Sequence, residues 1–181
     1  MLRWLWLSLL MVSLDQVTKY WANAQLVKYK PVDFLPMIDL TLMHNPGAAF
    51  SFLSHAGGWQ RWVFSLIALL VSGFIVMWIK NLKRHERLLA ISLALILGGA
   101  LGNVIDRLLL GHVIDFVDFH YTAQQCLPLF VPINSPAGMM CHWPAFNIAD
   151  SAISLGVVLI IIENIRAALT RKPRSANPGQ L

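Results

Sequence analysis

Uncharged apolar runs, separated by short polar clusters, set the outline of this chain. Trp62 to Ile79 is 18 residues without a charge, flanked by Trp59, Trp62 and Trp78. At 1.5 Å per residue such a run is roughly 27 Å long, enough to cross the hydrocarbon core of a bilayer. Leu88 to Ile105 is again 18 uncharged residues, and KNLKRHER (80–87) separates the two. Trp4 to Leu14 and Ser151 to Ile162 are shorter apolar stretches of 11 and 12 residues that continue into polar flanks. The pattern predicts an all-α membrane protein with four transmembrane helices over about 4–21, 60–79, 88–107 and 147–167. Residues 22–59 and 108–146 are then outward loops of a single membrane-embedded domain, 1–170. Val32 to Met43 partly alternates and is rich in β-formers, so short strands are expected there. The tail RKPRSANPGQL is basic, contains Pro and Gly, and is expected to be a disordered cytoplasmic extension. A cleaved signal peptide is the competing reading of the N-terminus, with Ala22-Asn23-Ala24 as an A-x-A site. Asp15 and Lys19 speak against it, and Tyr20 and Trp21 look like interfacial anchors.

Composition agrees with the pattern. The chain is 57% hydrophobic and 13% charged, against about 25% charged in soluble domains, and its mean hydropathy is +0.61. The net charge of +5 does not indicate nucleic acid, because the basic residues cluster at the ends of apolar runs and form no stripe interleaved with aromatics. Arg3, the four Lys/Arg of 80–87, Arg166, Arg171, Lys172 and Arg174 fall on one side of a four-helix arrangement. The positive-inside rule makes that side cytoplasmic, both termini included. Asp15, Asn45, Asn103, Arg107, Asp115, Asn147 and Asp150 then gather at the outer membrane face.

That convergence points to chemistry. In GGALGNVIDRLLLGHVID (98–115), Asn103, Asp106 and Arg107 are three and four apart and share one helical face. Asp115 follows Gly111, where the chain can leave the helix. FNIAD (146–150) opens the last apolar run in the same way. Asp115 and Asp150 are expected to meet at one membrane face and share a proton. Two neighbouring carboxylates do not both ionise easily. The ionised member can act as general base on a water, while the protonated one polarises a carbonyl. Structural readings stand beside this one. Asn147 and Asp150 are spaced as N-cap and N3 of a helix, Asp15 and Lys19 as an i,i+4 ion pair, and Asp115 as a solvated loop acid. Neither H-E-x-x-H nor G-x-S-x-G occurs. His112, His120, Cys126, Cys141 and His142 form a rival ligand cluster, but their spacings match no familiar zinc pattern.

Taken together, DQVTK (15–19), NPGAAFS (45–51), GGALGNVIDR (98–107), GHVIDF (111–116) and HWPAFNIADS (142–151) resemble the lipoprotein signal peptidase family, the bacterial signal peptidase II family of intramembrane aspartic peptidases. The resemblance implies an enzyme of the bacterial inner membrane that removes signal peptides from diacylglyceryl-modified prolipoproteins, cutting before the lipidated cysteine. It implies Asp115 and Asp150 as the catalytic pair, and Asp15, Asn45, Asn103, Arg107, Asn147 and Ala149 as residues lining or supporting the site. It also implies a small extracytoplasmic β-cradle. Neither cofactor nor metal is expected; the partners are the prolipoprotein substrates and membrane lipids, and the chain is expected to be monomeric. One departure is an insert at about 121–141, in a connection the family usually keeps shorter. Cys126 and Cys141 bracket most of it, and two readings stay open there: a disulfide pinning the loop over the site on the oxidising side, or two free thiols. A proton or ion carrier and a structural membrane subunit are the alternative classes. A carrier predicts acids spread through the membrane depth, whereas here they lie on one face.

Overall fold

The computed structural model describes residues 1–47, 57–135 and 138–170. The expected tail 171–181, and Ala48 to Ser51 of the NPGAAFS segment, lie outside the described residues. Four helices form: α1 (Leu5–Gln25, entered through a 3-10 turn at Leu2–Trp4), α2 (Gln60–Asn81), α3 (Arg87–Leu109) and α4 (Ile148–Thr170). Five strands accompany them: β1 (Val32–Leu35), β2 (Ile38–Asn45), β3 (Val113–Thr122), β4 (Val131–Ser135) and β5 (Gly138–His142).

The all-α, four-span expectation is corrected on two counts. The strands form one antiparallel sheet in the order β1-β2-β3-β5-β4, and three of them lie in what reads as an outward loop. VIDFVDFHYT is rich in β-branched and aromatic residues, which suit a pleated surface. Its first four residues are all buried, so no alternation of polar and apolar positions betrays the strand. The second correction concerns α1. Among the described residues only α2, α3 and α4 are long and apolar enough to cross a membrane. α1 has 21 residues, but Ser8, Asp15, Gln16, Thr18 and Lys19 lower its hydropathy. Ser8, Asp15 and Lys19 are buried against the other helices.

α3 packs against the other three helices, and small residues let it do so. A Cβ at Gly98 would lie 2.8 Å from the Ser8 carbonyl oxygen, and one at Gly102 would lie 2.5 Å from the Asp15 carboxylate. One at Gly99 would run into the Ala149 carbonyl. Close backbone approach through small residues is how helices associate where lipid removes the hydrophobic drive between them. Ile75 and Ile79 of α2 pack with Leu93 and Leu97 of α3. Ala22, Leu42, Ile114 and Phe116 join the end of α1 to the sheet.

β3 serves two partners. Val113 to Phe119 pairs with β2, and His120 to Thr122 pairs with β5. After β5 the chain turns back along β3. The Trp143 N–H donates to the Phe119 carbonyl at 2.7 Å, and Phe146 and Val117 exchange backbone bonds at 3.0 and 2.9 Å. Phe146 therefore stops two residues from Asp115, and α4 begins at Ile148. This return path brings Asp150 to Asp115 although the two are 35 positions apart in sequence. β4 is an edge strand, where Pro132 costs no ladder bond. Cys126 and Cys141 are joined by a disulfide.

Candidate active site

Asn147 is fully buried, at 0% exposure, and caps α4. Its Oδ1 accepts the Asp150 backbone N–H at 2.9 Å, and its own N–H donates to Asp150 Oδ2 at 3.2 Å. That reciprocal pair is a capping box. Its Nδ2 donates to Asp115 Oδ1 at 2.7 Å, with the Ile114 carbonyl and Asn103 Oδ1 each at 3.2 Å. One asparagine thus holds both carboxylates. The capping role of Asp150 is present and leaves its other oxygen for the site, since Asp150 Oδ1 accepts from Asn103 Nδ2 at 2.8 Å. Asp115, at 3% exposure, also accepts from Asn45 Nδ2 at 3.1 Å. Burial first, and then the charge of Asp150, push the Asp115 carboxyl up to about 7; the bonds from Asn45 and Asn147 and the charge of Lys19 oppose the rise.

Beneath the pair lies a buried ion triad. Lys19 Nζ is 2.8 Å from Asp15 Oδ2, 2.9 Å from Asp106 Oδ2 and 2.8 Å from Asn103 Oδ1, which uses all three ammonium hydrogens. Asp15 Oδ1 accepts the Ala149 N–H at 2.9 Å. Asp106 accepts from Gln16 Nε2 at 2.9 Å and from the Ile114 N–H at 3.1 Å. The i,i+4 pair of α1 is therefore a knot joining α1, α3, α4 and the start of β3. Lys19, Asp106 and Gln16 were not among the expected site residues. The spacings Asp15–Lys19 and Asn103–Asp106 were visible, but the bonds between helices were not.

Arg107 donates through Nη1 to the Asn103 carbonyl and through Nη2 to the Gly47 carbonyl, each at 3.3 Å. Its guanidinium lies 5.7 Å from the Phe64 ring centre. Its Nε is buried without a hydrogen-bond partner among the described residues. Asp115, Asp150, Arg107, Asn45 and Asn103 line a cavity of about 1400 Å3 that runs along the sheet to Asp118 and His142 and along α4 to Ile153. Small-molecule pockets hold roughly 300–1000 Å3, so this one suits a larger, partly apolar ligand. The rival ligand cluster is dispersed. Its cysteines are bonded to each other, His112 stacks on His44 at 4.1 Å, and His120 stacks on His142 at 5.4 Å between ring centres. His120 and His142 take Asp39 and Asp118 as partners.

Asn147→Ala is expected to cost about 2 kcal/mol, the upper end for a lost helix cap, because it also leaves Asp115 short of a donor. Thermal unfolding of the purified variant measures it, and a loss under about 0.5 kcal/mol would contradict the hub role.

Apolar helices closed at one end by a sheet and a buried polar network make the fold of a membrane enzyme. Two solved structures, both of bacterial membrane enzymes, superpose with TM-scores of 0.75 and 0.69 at 27% and 29% identity, covering 97% and 91% of this chain and 94% and 93% of theirs. The sequence profile of Signal peptidase (SPase) II matches residues 7–166. Lipoprotein signal peptidase of Pseudomonas putida is 43% identical over 173 residues, 95% of this chain and 92% of the relative. That of Pseudomonas aeruginosa is 45% identical over 167 residues, with 92% and 89% covered. That of Alteromonas mediterranea is 48% identical over 162 residues, with 90% and 80% covered. The chain belongs to the signal peptidase II family, a family of peptidases.

Proposed function

We propose that the chain is an aspartic endopeptidase that removes signal peptides from diacylglyceryl-modified prolipoproteins, cutting before the lipidated cysteine. The observation that carries the reading is the single Asn147 side chain bound to both Asp115 and Asp150 at the wall of a large cavity. Asp150 lies in the first turn of α4, where the helix dipole favours an anion, and Asp115 holds the proton. The Asp150 carboxylate takes a proton from water as the oxygen adds to the scissile carbonyl carbon. Asp115 donates its proton to the carbonyl oxygen, giving a neutral tetrahedral diol. A proton then passes from Asp150 to the leaving nitrogen, the C–N bond breaks, and the diol returns a proton to Asp115. Arg107 and Asn45, on the cavity wall, hold the substrate backbone; Asn103 orients Asp150, and Asp15, Lys19 and Ala149 support it from behind.

On this reading the site works at the extracytoplasmic face of the inner membrane. Met1 and Leu5 pack beside Ile79 and Leu89, so Arg3 shares an end of the bundle with the basic 80–87 turn, opposite the sheet. The positive-inside rule assigns that end, and both termini, to the cytoplasm.

The test is a purified assay on one precursor with and without the diacylglyceryl group. The lipid-bearing form is expected to be cleaved at least about 100-fold faster, a factor that four buried methylenes supply at ~0.8 kcal/mol each. Equal rates would remove the lipoprotein assignment.

A further inference from the structure

From Tyr121 to Ala149 the chain carries no Lys, Arg, Asp or Glu, whereas about one residue in four is charged in an ordinary water-facing segment. The hairpin inside this stretch has two different surfaces. Val131 and Ile133 are two apart on β4 and share a face, opposite His142 and Met140 of β5. All four line the cavity that contains Asp115 and Asp150. Val131 and Ile133 are 51% and 50% exposed, so aliphatic surface is left bare inside a site whose other end is polar. Leu127 and Leu129 are exposed as well but are not part of the cavity wall.

The wall is held in place. Phe130 packs edge-on against Phe119, Tyr121 and Trp143. The Cys126–Cys141 disulfide ties β5 to the segment that leads into β4, and the Tyr121 hydroxyl accepts the Leu127 N–H at 2.8 Å. A braced apolar strip beside a reactive centre is a preformed subsite, which binds without first ordering itself.

We propose that the cavity face of the β4–β5 hairpin, Val131, Ile133 and Met140, is the subsite for the hydrocarbon chains of the substrate's diacylglyceryl group. The proposal rests on the peptidase reading and adds to it which surface reads the lipid. Hydrocarbon is the occupant that fits: Val131, Ile133 and Met140 carry no charge and present aliphatic surface, the neighbouring His142 is already partnered by Asp118, and the cavity continues to Ile153 on α4, a helix apolar enough to lie in the bilayer. Pro132 removes a backbone donor from the edge of β4, which disfavours a peptide adding there as a further strand.

The test uses the full chain in nanodiscs and two synthetic precursors identical except for dipalmitoyl or dihexanoyl glyceryl groups. The parent is expected to show a KM about tenfold or more lower for the long-chain precursor. Ile133→Asp is expected to bring the two KM values within about twofold by raising the long-chain one. Ile133→Trp, which narrows the strip, is expected to shift the preference toward the short chains. Leu127→Asp, outside the cavity, is expected to keep the parental ratio. An unchanged ratio in both Ile133 variants overturns the proposal. So does an equal collapse in Leu127→Asp, which would mean that the hairpin merely rests in bilayer lipid. A parent that cleaves neither precursor instead refutes the peptidase reading itself.

Discussion

Asp115→Asn and Asp150→Asn, made separately, are each expected to lower turnover more than about 1000-fold, within the range general acid–base groups contribute. Asparagine keeps the shape and one acceptor oxygen, so each variant retains one of the two hydrogen bonds its carboxylate accepts, while proton transfer is lost. The pH behaviour is the sharper check. Folded Asp115 keeps its proton up to about 7, against an ordinary value of 3.8. Between those values the folded state binds more protons than the unfolded one, so stability falls as pH rises through that window and levels off above it. Asp115→Asn removes the penalty. At pH 8 the variant should unfold later than the parent, by a few kcal/mol at most, and at pH 4 the two should coincide. The parent's kcat/KM should decline above about pH 7 as the pair, titrating as a unit, loses its one proton. Turnover above about a tenth of parental in either variant would sink the mechanism, and so would a rate that stays level to about pH 9.

Lys19→Met carries the second large effect. Lys19 is 1% exposed and is the cation between Asp15 and Asp106, which are buried on either side of it. Removing one partner of a buried ion cluster costs about 3–5 kcal/mol, because the remaining charges have no water to turn to. For a chain of this size that corresponds to a fall in Tm of about 10 °C. Asn103 loses a donor in the same change, so Asp150 loosens and turnover falls with stability. Adding Asp15→Asn and Asp106→Asn to Lys19→Met removes the stranded charges and should recover most of the lost Tm, though not the activity. A Lys19→Met protein that melts within about 2 °C of the parent would show that the triad does not brace the site.

The helices were legible because uncharged runs of 18 residues leave few alternatives. Their ends were less so. α1 continues past Trp21 to Gln25 because Ala22 packs into the core against Leu42 and Phe116, a contact no local pattern announces. α1 falls short of the hydropathy of a membrane span for a countable reason: only 11 residues separate Arg3 from Asp15. β3 escaped because burial on both faces erases alternation. The insert hid a hairpin because Pro132 argues against a strand unless its place at the sheet edge is known. Among the site residues, Asp115, Asp150, Asn103 and Asn147 were named from helix ends and charge counting. The bridging geometry of Asn147 and the Lys19 triad depend on how α1, α3 and α4 pack, and sequence spacing within one helix carries no record of that.

The return of Trp143 to Phe146 along β3 separates two quantities that a linear sequence ties together. Asp150 is positioned by ladder bonds to β3, not by the length of chain that precedes them. Residues added or removed at the far turn change the circuit without moving its endpoints, at a closure cost that grows only as the logarithm of its length. The lineage is therefore free to remodel the rim of this enzyme while its centre keeps the same dimensions.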